Sequence, residues 1–133
     1  MIARRLLFVL LWSLIAGGAC AGECVPAPNY HCVQIDGFAY VPNAMTVNEG
    51  DSVEFAASSF HPMRQVLRAF PSTTAVHDGY GCSEPPCIKE MDASVVDADG
   101  WPVFHYICVN HIKQVMRGDI FIVPRAIFAA GFE

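Results

Sequence analysis

The sequence has few basic residues. Lysine and arginine together number 8 against 13 aspartates and glutamates in 133 residues, which gives a formal net charge of −5. Attraction to nucleic acid or to an anionic membrane depends on an excess of positive charge. The charge balance therefore argues against both as partners.

The sequence also lacks an apolar run of the roughly 20 residues that a membrane-spanning helix needs. Its longest such run, residues 6–16, follows Arg4 and Arg5 and precedes small residues, which is the pattern of a secretory signal peptide. We therefore predict a signal peptide over residues 1–21 and one domain over residues 22–133 that is periplasmic or otherwise exported. A domain of this size can bury its own core, and we expect a monomer without a membrane span.

Two kinds of processing fit the end of the signal peptide. Ala19, Cys20 and Ala21 match the small-x-small rule of ordinary cleavage, which leaves Gly22 as the new N-terminus. Cys20 is also a candidate for a lipid anchor. We favour ordinary cleavage, because Gly17, three residues before the cysteine, is not a large aliphatic residue.

No long stretch shows the period of an amphipathic helix, and short strands separated by turns dominate instead. Val53 and Phe55 alternate with polar neighbours, the pattern of a strand with one wet face. Residues 103–108 and 119–123 are the clearest further strands, and residues 88–97 are compatible with a helical turn. The pattern predicts an all-β sandwich or barrel.

The sequence contains six cysteines, of which five remain when Cys20 is removed or lipidated. In an oxidising compartment, two disulfides would leave one thiol that must be protected or ligated. We identify that thiol as Cys108, which ends an apolar strand, whereas the other four lie in proline-rich loops. Those four allow three pairings, among which we prefer the two local bridges: Cys24 with Cys32, and Cys82 with Cys87.

Cys108 belongs to a group of candidate metal ligands. With His111 and Met116 it forms the pattern C-x2-H-x4-M. A thiolate, an imidazole and a thioether from one loop suit copper that cycles between two oxidation states, provided that a second imidazole arrives from elsewhere. His61 is the candidate, because it lies between two predicted strands and can reach the same end of a sandwich.

The sequence resembles the plastocyanin and pseudoazurin branch of the cupredoxins over most of the mature chain. The matching segments are residues 38–42, residues 45–55, His61, and the ligand loop that runs into residues 116–123. Each segment is modest alone, but their order and spacing together are specific.

This resemblance implies a Greek-key β-sandwich of about eight strands that holds one copper ion. His61, Cys108 and His111 would be the in-plane ligands and Met116 the axial ligand. The implied activity is one-electron transfer between redox partner proteins, with no substrate turned over, so the protein would not be an enzyme. His111 is expected to reach the surface inside an apolar collar.

The sequence departs from this family in two places. The residue after the first histidine often donates its backbone N–H to the cysteine sulfur, but here it is Pro62, which has no N–H. We expect the backbone N–H of Asn110 to replace that donor. The loop that carries Cys82 and Cys87 is the second departure, because the simplest plastocyanin-like proteins lack it.

Other functions remain open alternatives. Met63, two residues after His61, forms a soft pair with it, which favours a protein that stores or delivers copper; we expect Met63 to be a core residue instead. A metal-free interaction domain is a third class. A multicopper oxidase is disfavoured, because the chain lacks further histidine-rich clusters.

Several polar residues are assigned no role in the site. His105 should point to the opposite sheet face from Tyr106 and Cys108. The other histidines are interpreted as loop residues, and three aspartates as a solvated face that can also steer a basic redox partner. These residues are His31, His77, Asp92, Asp97 and Asp99.

Overall fold

A computed structural model describes residues 23–95 and 97–125. The predicted signal peptide, with Cys20, lies outside these residues. Within them, no helix is both long and apolar enough to cross a membrane. The regular structure of this part of the chain consists of nine strands and one short 3-10 helix.

The strands are short and follow one another closely along the chain. In order they are β1 Tyr30–Asp36, β2 Ala39–Val41, β3 Ala44–Asn48, β4 Ser52–Phe55, β5 Met63–Val66, β6 Gly81–Cys82, β7 Cys87–Glu90, β8 Val103–Cys108 and β9 Arg117–Val123. The 3-10 helix, Val109–Gln114, lies between β8 and β9.

The strands form two sheets. The first has the order β2-β1-β4-β7 and the second the order β3-β9-β8-β5-β6. The chain changes sheet between β2 and β3, between β3 and β4, and between β4 and β5, so these successive strands lie in opposite layers. The prediction of an all-β Greek-key sandwich is therefore confirmed, and the count of nine strands includes the two-residue β6.

The core lies between the sheets, and the two-residue period of β8 shows how the sequence builds it. Phe104, Tyr106 and Cys108 alternate along β8 and belong to the core cluster, with at most 1 % exposure. Tyr106 lies opposite Gly118 of β9, where a Cβ atom would come within 2.2 Å of the tyrosine ring. A residue without a side chain is required at this position.

Within residues 88–95, the helical turn considered for this segment is reduced to one hydrogen-bonded turn, in which the Val95 N–H donates to the Asp92 carbonyl at 3.0 Å, and the first part is a strand instead. Residues 87–90 form β7 and pair with β4, where Ile88 lies opposite Glu54. Pairing with a neighbouring strand has overridden a weak local preference. The preferred disulfides, Cys24–Cys32 and Cys82–Cys87, are both formed, and the second joins β6 of one sheet to β7 of the other.

Candidate metal centre

Cys108 is held at the end of a central strand. Strand β8 pairs with β5 on one side and with β9 on the other. Cys108 itself lies opposite Met63 of β5, and the pairing with β9 ends one residue earlier, at Ile107. Cys108 has 0 % exposure and is the free cysteine of the described residues. A buried thiol that takes no part in a disulfide is thus present where the cysteine count predicted it.

The 3-10 helix that follows β8 brings His111 back onto the cysteine. Its Nδ1 atom lies 3.2 Å from the sulfur of Cys108. The Nδ1 atom of His61 lies 3.9 Å from the same sulfur, and the two imidazole centroids are 4.7 Å apart. One donor atom from each of these three residues lies within 4.8 Å of the others.

Met116 closes the ligand loop. Val115, which precedes it, has left-handed backbone angles of φ 60° and ψ 34°, an uncommon conformation for a β-branched residue. The chain reverses there, so the Met116 N–H donates to the His111 carbonyl at 3.3 Å and the Cys108 N–H donates to the Met116 carbonyl at 2.9 Å. Met116 has 1 % exposure, within the core cluster that also holds Cys108.

His61 lies just before β5, in a short turn. The Ser58 N–H donates to the His61 carbonyl, and the His61 N–H donates to the Ser58 hydroxyl, both at 3.2 Å. Burial lowers the pKa of His61, and the nearby His111 imidazole lowers it further. Both effects favour the neutral ring, which is the form that binds a metal ion.

The donor set fits copper. A thiol sulfur, two imidazole nitrogens and, close by along the backbone, a thioether-bearing residue are the soft and borderline donors that copper takes in electron-transfer sites. The sequence predicted these four residues, and the structure brings three donor atoms together and ties the fourth residue to two of them through its main chain.

The expected hydrogen bond from the Asn110 N–H to the Cys108 sulfur is absent among the described residues. The polar contacts of that sulfur are with the rings of His61 and His111. Asn110 instead points its side-chain amide at the segment before His61, where it donates to the Phe60 carbonyl at 3.1 Å.

Aromatic rings cover the two histidines. The Phe38 ring centroid lies 4.8 Å from that of His111, and the Phe60 centroid lies 5.2 Å from it. Phe38 and Phe60 are 52 % and 64 % exposed, whereas His111 is only 8 % exposed. The expectation that His111 reaches the surface is therefore wrong in degree: the ring lies just below a patch that these phenylalanines form.

Met63 is a core residue, as expected, with 2 % exposure. It lies opposite Cys108 on one side and opposite Cys82 on the other. Directly opposite residues of a sheet point to the same face. The side chains of Cys108, Met63 and Cys82 are therefore neighbours on one face of the second sheet.

A buried polar cluster on the outer face of the second sheet was missed by the sequence reasoning. His105 points away from the core, as alternation predicts, and its Nδ1 atom lies 2.6 Å from Asp119 while Nε2 lies 3.2 Å from Asp97. The side chain of Asp97 is 9 % exposed, so its interpretation as part of a solvated face is wrong. Asp99 is exposed and pairs with Arg68.

No protein-family model matches the sequence, and no curated protein does. Among solved structures, the chain is similar to a pseudoazurin from Methylobacterium extorquens, with 14 % identity, coverage of 70 % of this chain and 74 % of that one, and a TM-score of 0.48. It is also similar to the amicyanin of Paracoccus versutus, with 20 % identity, 74 % and 85 % coverage, and a TM-score of 0.46.

The plastocyanin of Dryopteris crassirhizoma is a third similar structure, with 17 % identity, 69 % and 99 % coverage, and a TM-score of 0.43. All three proteins are cupredoxins. These values describe similarity of the backbone fold alone. The chemistry of the centre depends on the side chains of this protein. The two-sheet sandwich and the convergence of His61, Cys108 and His111 agree with the resemblance of the sequence to the cupredoxins.

Proposed function

We propose that this protein is an exported blue-copper protein that carries single electrons between redox partner proteins. One observation carries the proposal: donor atoms of His61, Cys108 and His111 converge within 4.8 Å around a thiol that is fully buried and free. In an oxidising compartment, a thiol that escapes disulfide formation needs protection or a bound metal.

We assign four ligands to one copper ion. His61, Cys108 and His111 would hold the ion most strongly, and Met116 would be a weaker fourth ligand. The burial of Met116 and its backbone bonds to two other ligand residues support its place. Copper, when bound, supplies a one-electron couple between Cu(I) and Cu(II).

The role of the protein in this proposal is to keep the four ligand residues in a fixed geometry. Cys108 is held by pairing with Met63 of β5 and by its N–H bond to the Met116 carbonyl, and Met116 is joined to His111 by a second backbone hydrogen bond. Cys108 and Met116 are closed off from water. Ligands that keep one geometry in both redox states need little rearrangement, which favours fast electron transfer.

The patch over His111 is the proposed face for redox partners. It is formed by Phe38 and Phe60, of which 52 % and 64 % respectively is exposed. A partner that docks on exposed apolar rings excludes water and comes within a side chain's thickness of a ligand imidazole. We propose one-electron exchange as the whole activity of this centre, with no substrate turned over.

Export is the second part of the proposal. The two disulfides support it, since such bonds persist in oxidising compartments. Periplasmic fractions should contain the domain with Gly22 as its first residue, as mass spectrometry of the intact protein would measure. A mass that includes lipidated Cys20 would instead establish the anchored form, and recovery of the uncleaved chain from the cytoplasm would contradict export.

Copper storage or delivery is the alternative function. The observation that favours it is Met63, a thioether-bearing residue opposite Cys108 in the sheet. A delivery protein would pass copper to an acceptor chelator within minutes and exchange electrons slowly. An electron carrier would retain its copper and exchange electrons quickly.

The central experiment loads the mature domain with Cu(II) and records its visible spectrum. An intense blue absorption from thiolate to copper is expected, and Cys108→Ser should abolish it. His77→Gln is the matched control, because His77 is 95 % exposed at its side chain and lies outside the centre. A colourless protein, or a blue band that survives Cys108→Ser, would refute the assignment.

A further inference from the structure

His61, one of the proposed ligands, lies just before β5 and beyond the last backbone pair of the second sheet. Pairing between β5 and β8 ends at Met63 and Cys108. The Val109 N–H extends the contact by one bond to the Pro62 carbonyl, at 2.9 Å. Pro62 has no N–H, so it cannot donate a backbone hydrogen bond to the ligand loop in return. The backbone pairing therefore stops before His61.

Asn110 supplies the next contact with its side chain. Its amide nitrogen donates to the Phe60 carbonyl at 3.1 Å and lies 3.5 Å from the Ser59 carbonyl. A carbonyl oxygen only accepts, so the nitrogen and not the oxygen of the amide must face these two groups. The two donors of one amide thus serve two neighbouring carbonyls.

Two hydrogen bonds to the ligand loop therefore flank His61, and we call this pair of bonds the bracket around His61. The carbonyl of Pro62 on one side and that of Phe60 on the other are both tied to consecutive residues of the ligand loop, Val109 and Asn110. The bond from Val109 belongs to the backbone and survives any side-chain change. The bond from Asn110 depends on the amide alone.

We propose that Asn110 is a positioning residue, which sets the distance between His61 and the other ligands by tying the two ligand segments together. This inference rests on the proposed copper site for its functional meaning, but the bracket itself is a property of the metal-free chain. It gives the residue a role different from donation to the cysteine sulfur.

Four variants separate this role from a general surface effect. Asn110→Ala removes the amide, and Asn110→Asp keeps its shape but presents only acceptors to the two carbonyls. Asn110→Gln keeps both donors on a longer stem. Gln114→Ala is the matched control, because Gln114 is an exposed amide on the same 3-10 helix and takes part in no side-chain hydrogen bond within residues 23–95 and 97–125.

The first measurement uses metal-free mature protein. Backbone amide relaxation by NMR should show increased motion at His61 in Asn110→Ala and Asn110→Asp, with wild-type behaviour in Gln114→Ala. The second measurement follows transfer of Cu(I) from loaded protein to an excess of a chelator. A hydrogen bond of this kind contributes about 1 kcal/mol, so release should be faster by about fivefold in the same two variants and by less than about threefold in Asn110→Gln.

Unchanged motion at His61 together with unchanged copper release in Asn110→Asp would overturn the inference. An equal change in Gln114→Ala would also overturn it, since the effect would then belong to the loop surface. Failure of the copper site itself is separable: the wild type would lack the blue band, while the NMR comparison of the metal-free variants would still decide whether Asn110 positions His61.

Discussion

The buried cluster of His105 with two aspartates makes stability depend on pH. The side chains of His105 and Asp97 are 8 % and 9 % exposed, and that of Asp119 is 23 % exposed. The hydrogen bond to Asp119 raises the pKa of His105; burial opposes this rise, and the bond to Asp97 supports it. The net direction is upward from the ordinary value of about 6.5.

The sign of the effect follows from this direction. A group whose pKa is higher in the folded than in the unfolded state stabilises the fold fully below its unfolded pKa, and the stabilisation is lost as the pH rises through the folded pKa. A neutral ring can donate only one of its two hydrogen bonds. Bonds to charged groups contribute about 1.5–3 kcal/mol each, so we expect a loss of about 2 kcal/mol from His105 between pH 5.5 and pH 9.

The assay is chemical denaturation of the metal-free mature domain at both pH values. The wild-type free energy of unfolding should fall by about 2 kcal/mol more than that of His105→Gln, which cannot be protonated. His77→Gln replaces an exposed histidine and should keep the wild-type pH dependence. If wild type and His105→Gln show the same difference between the two pH values, the reasoning about this cluster is wrong.

Three further changes test the packing around the centre. Gly118→Ala should destabilise the domain by about 1–3 kcal/mol, measured by urea unfolding, because the new Cβ would lie 2.2 Å from Tyr106. The loss of stability should be smaller in a Tyr106→Ala background, and an equal loss in both backgrounds would contradict the clash. Met63→Ala should cost about 2–5 kcal/mol and Met63→Leu less than about 1.5 kcal/mol, since the residue is 2 % exposed; thermal unfolding compares them, and equal losses would show that volume is not the cause. Replacing Cys82 and Cys87 by alanine opens a short loop and should cost about 2 kcal/mol by denaturant titration, whereas no loss would mean that the bridge does not constrain the unfolded chain.

The acidic side of the cluster fits the same scheme. Burial raises the pKa of Asp97, but hydrogen bonds from the Trp101 N–H, His105 and the Asp99 N–H outweigh burial and lower it overall. Its contribution to stability is therefore present above the unfolded pKa and is lost as the pH falls through the folded one. Asp97 also fixes the turn at residues 97–101. Its Oδ2 atom faces His105, and its Oδ1 atom accepts the N–H groups of Asp99 and Trp101.

The parts of the fold that are local in sequence were predictable. Strand β8 was predicted with its observed bounds, because five of its six residues are apolar and a short apolar run is typical of a buried strand. Residues 87–90 were not predicted as a strand, because their structure comes from pairing with β4, and no local pattern encodes that partner.

The chemistry of the centre divides in the same way. Chemical type and spacing along the chain are properties of the sequence, so Cys108, His111 and Met116 could be recognised as a ligand group without coordinates. The odd number of cysteines in residues 22–133 pointed to Cys108 independently. The sequence therefore determined the donor types and the position of the free thiol.

Only the tertiary structure decided how the distant segments meet. Whether His61 reaches the cysteine depends on the pairing of β5 with β8, and which group Asn110 contacts depends on the turn at residues 58–61. His105 and Asp97 lie eight residues apart, and a buried ion pair between them requires a loop to fold back over a sheet face. Contacts of this kind depend on the whole fold, because burial and hydrogen-bond partners are supplied by strands that are far away in the chain.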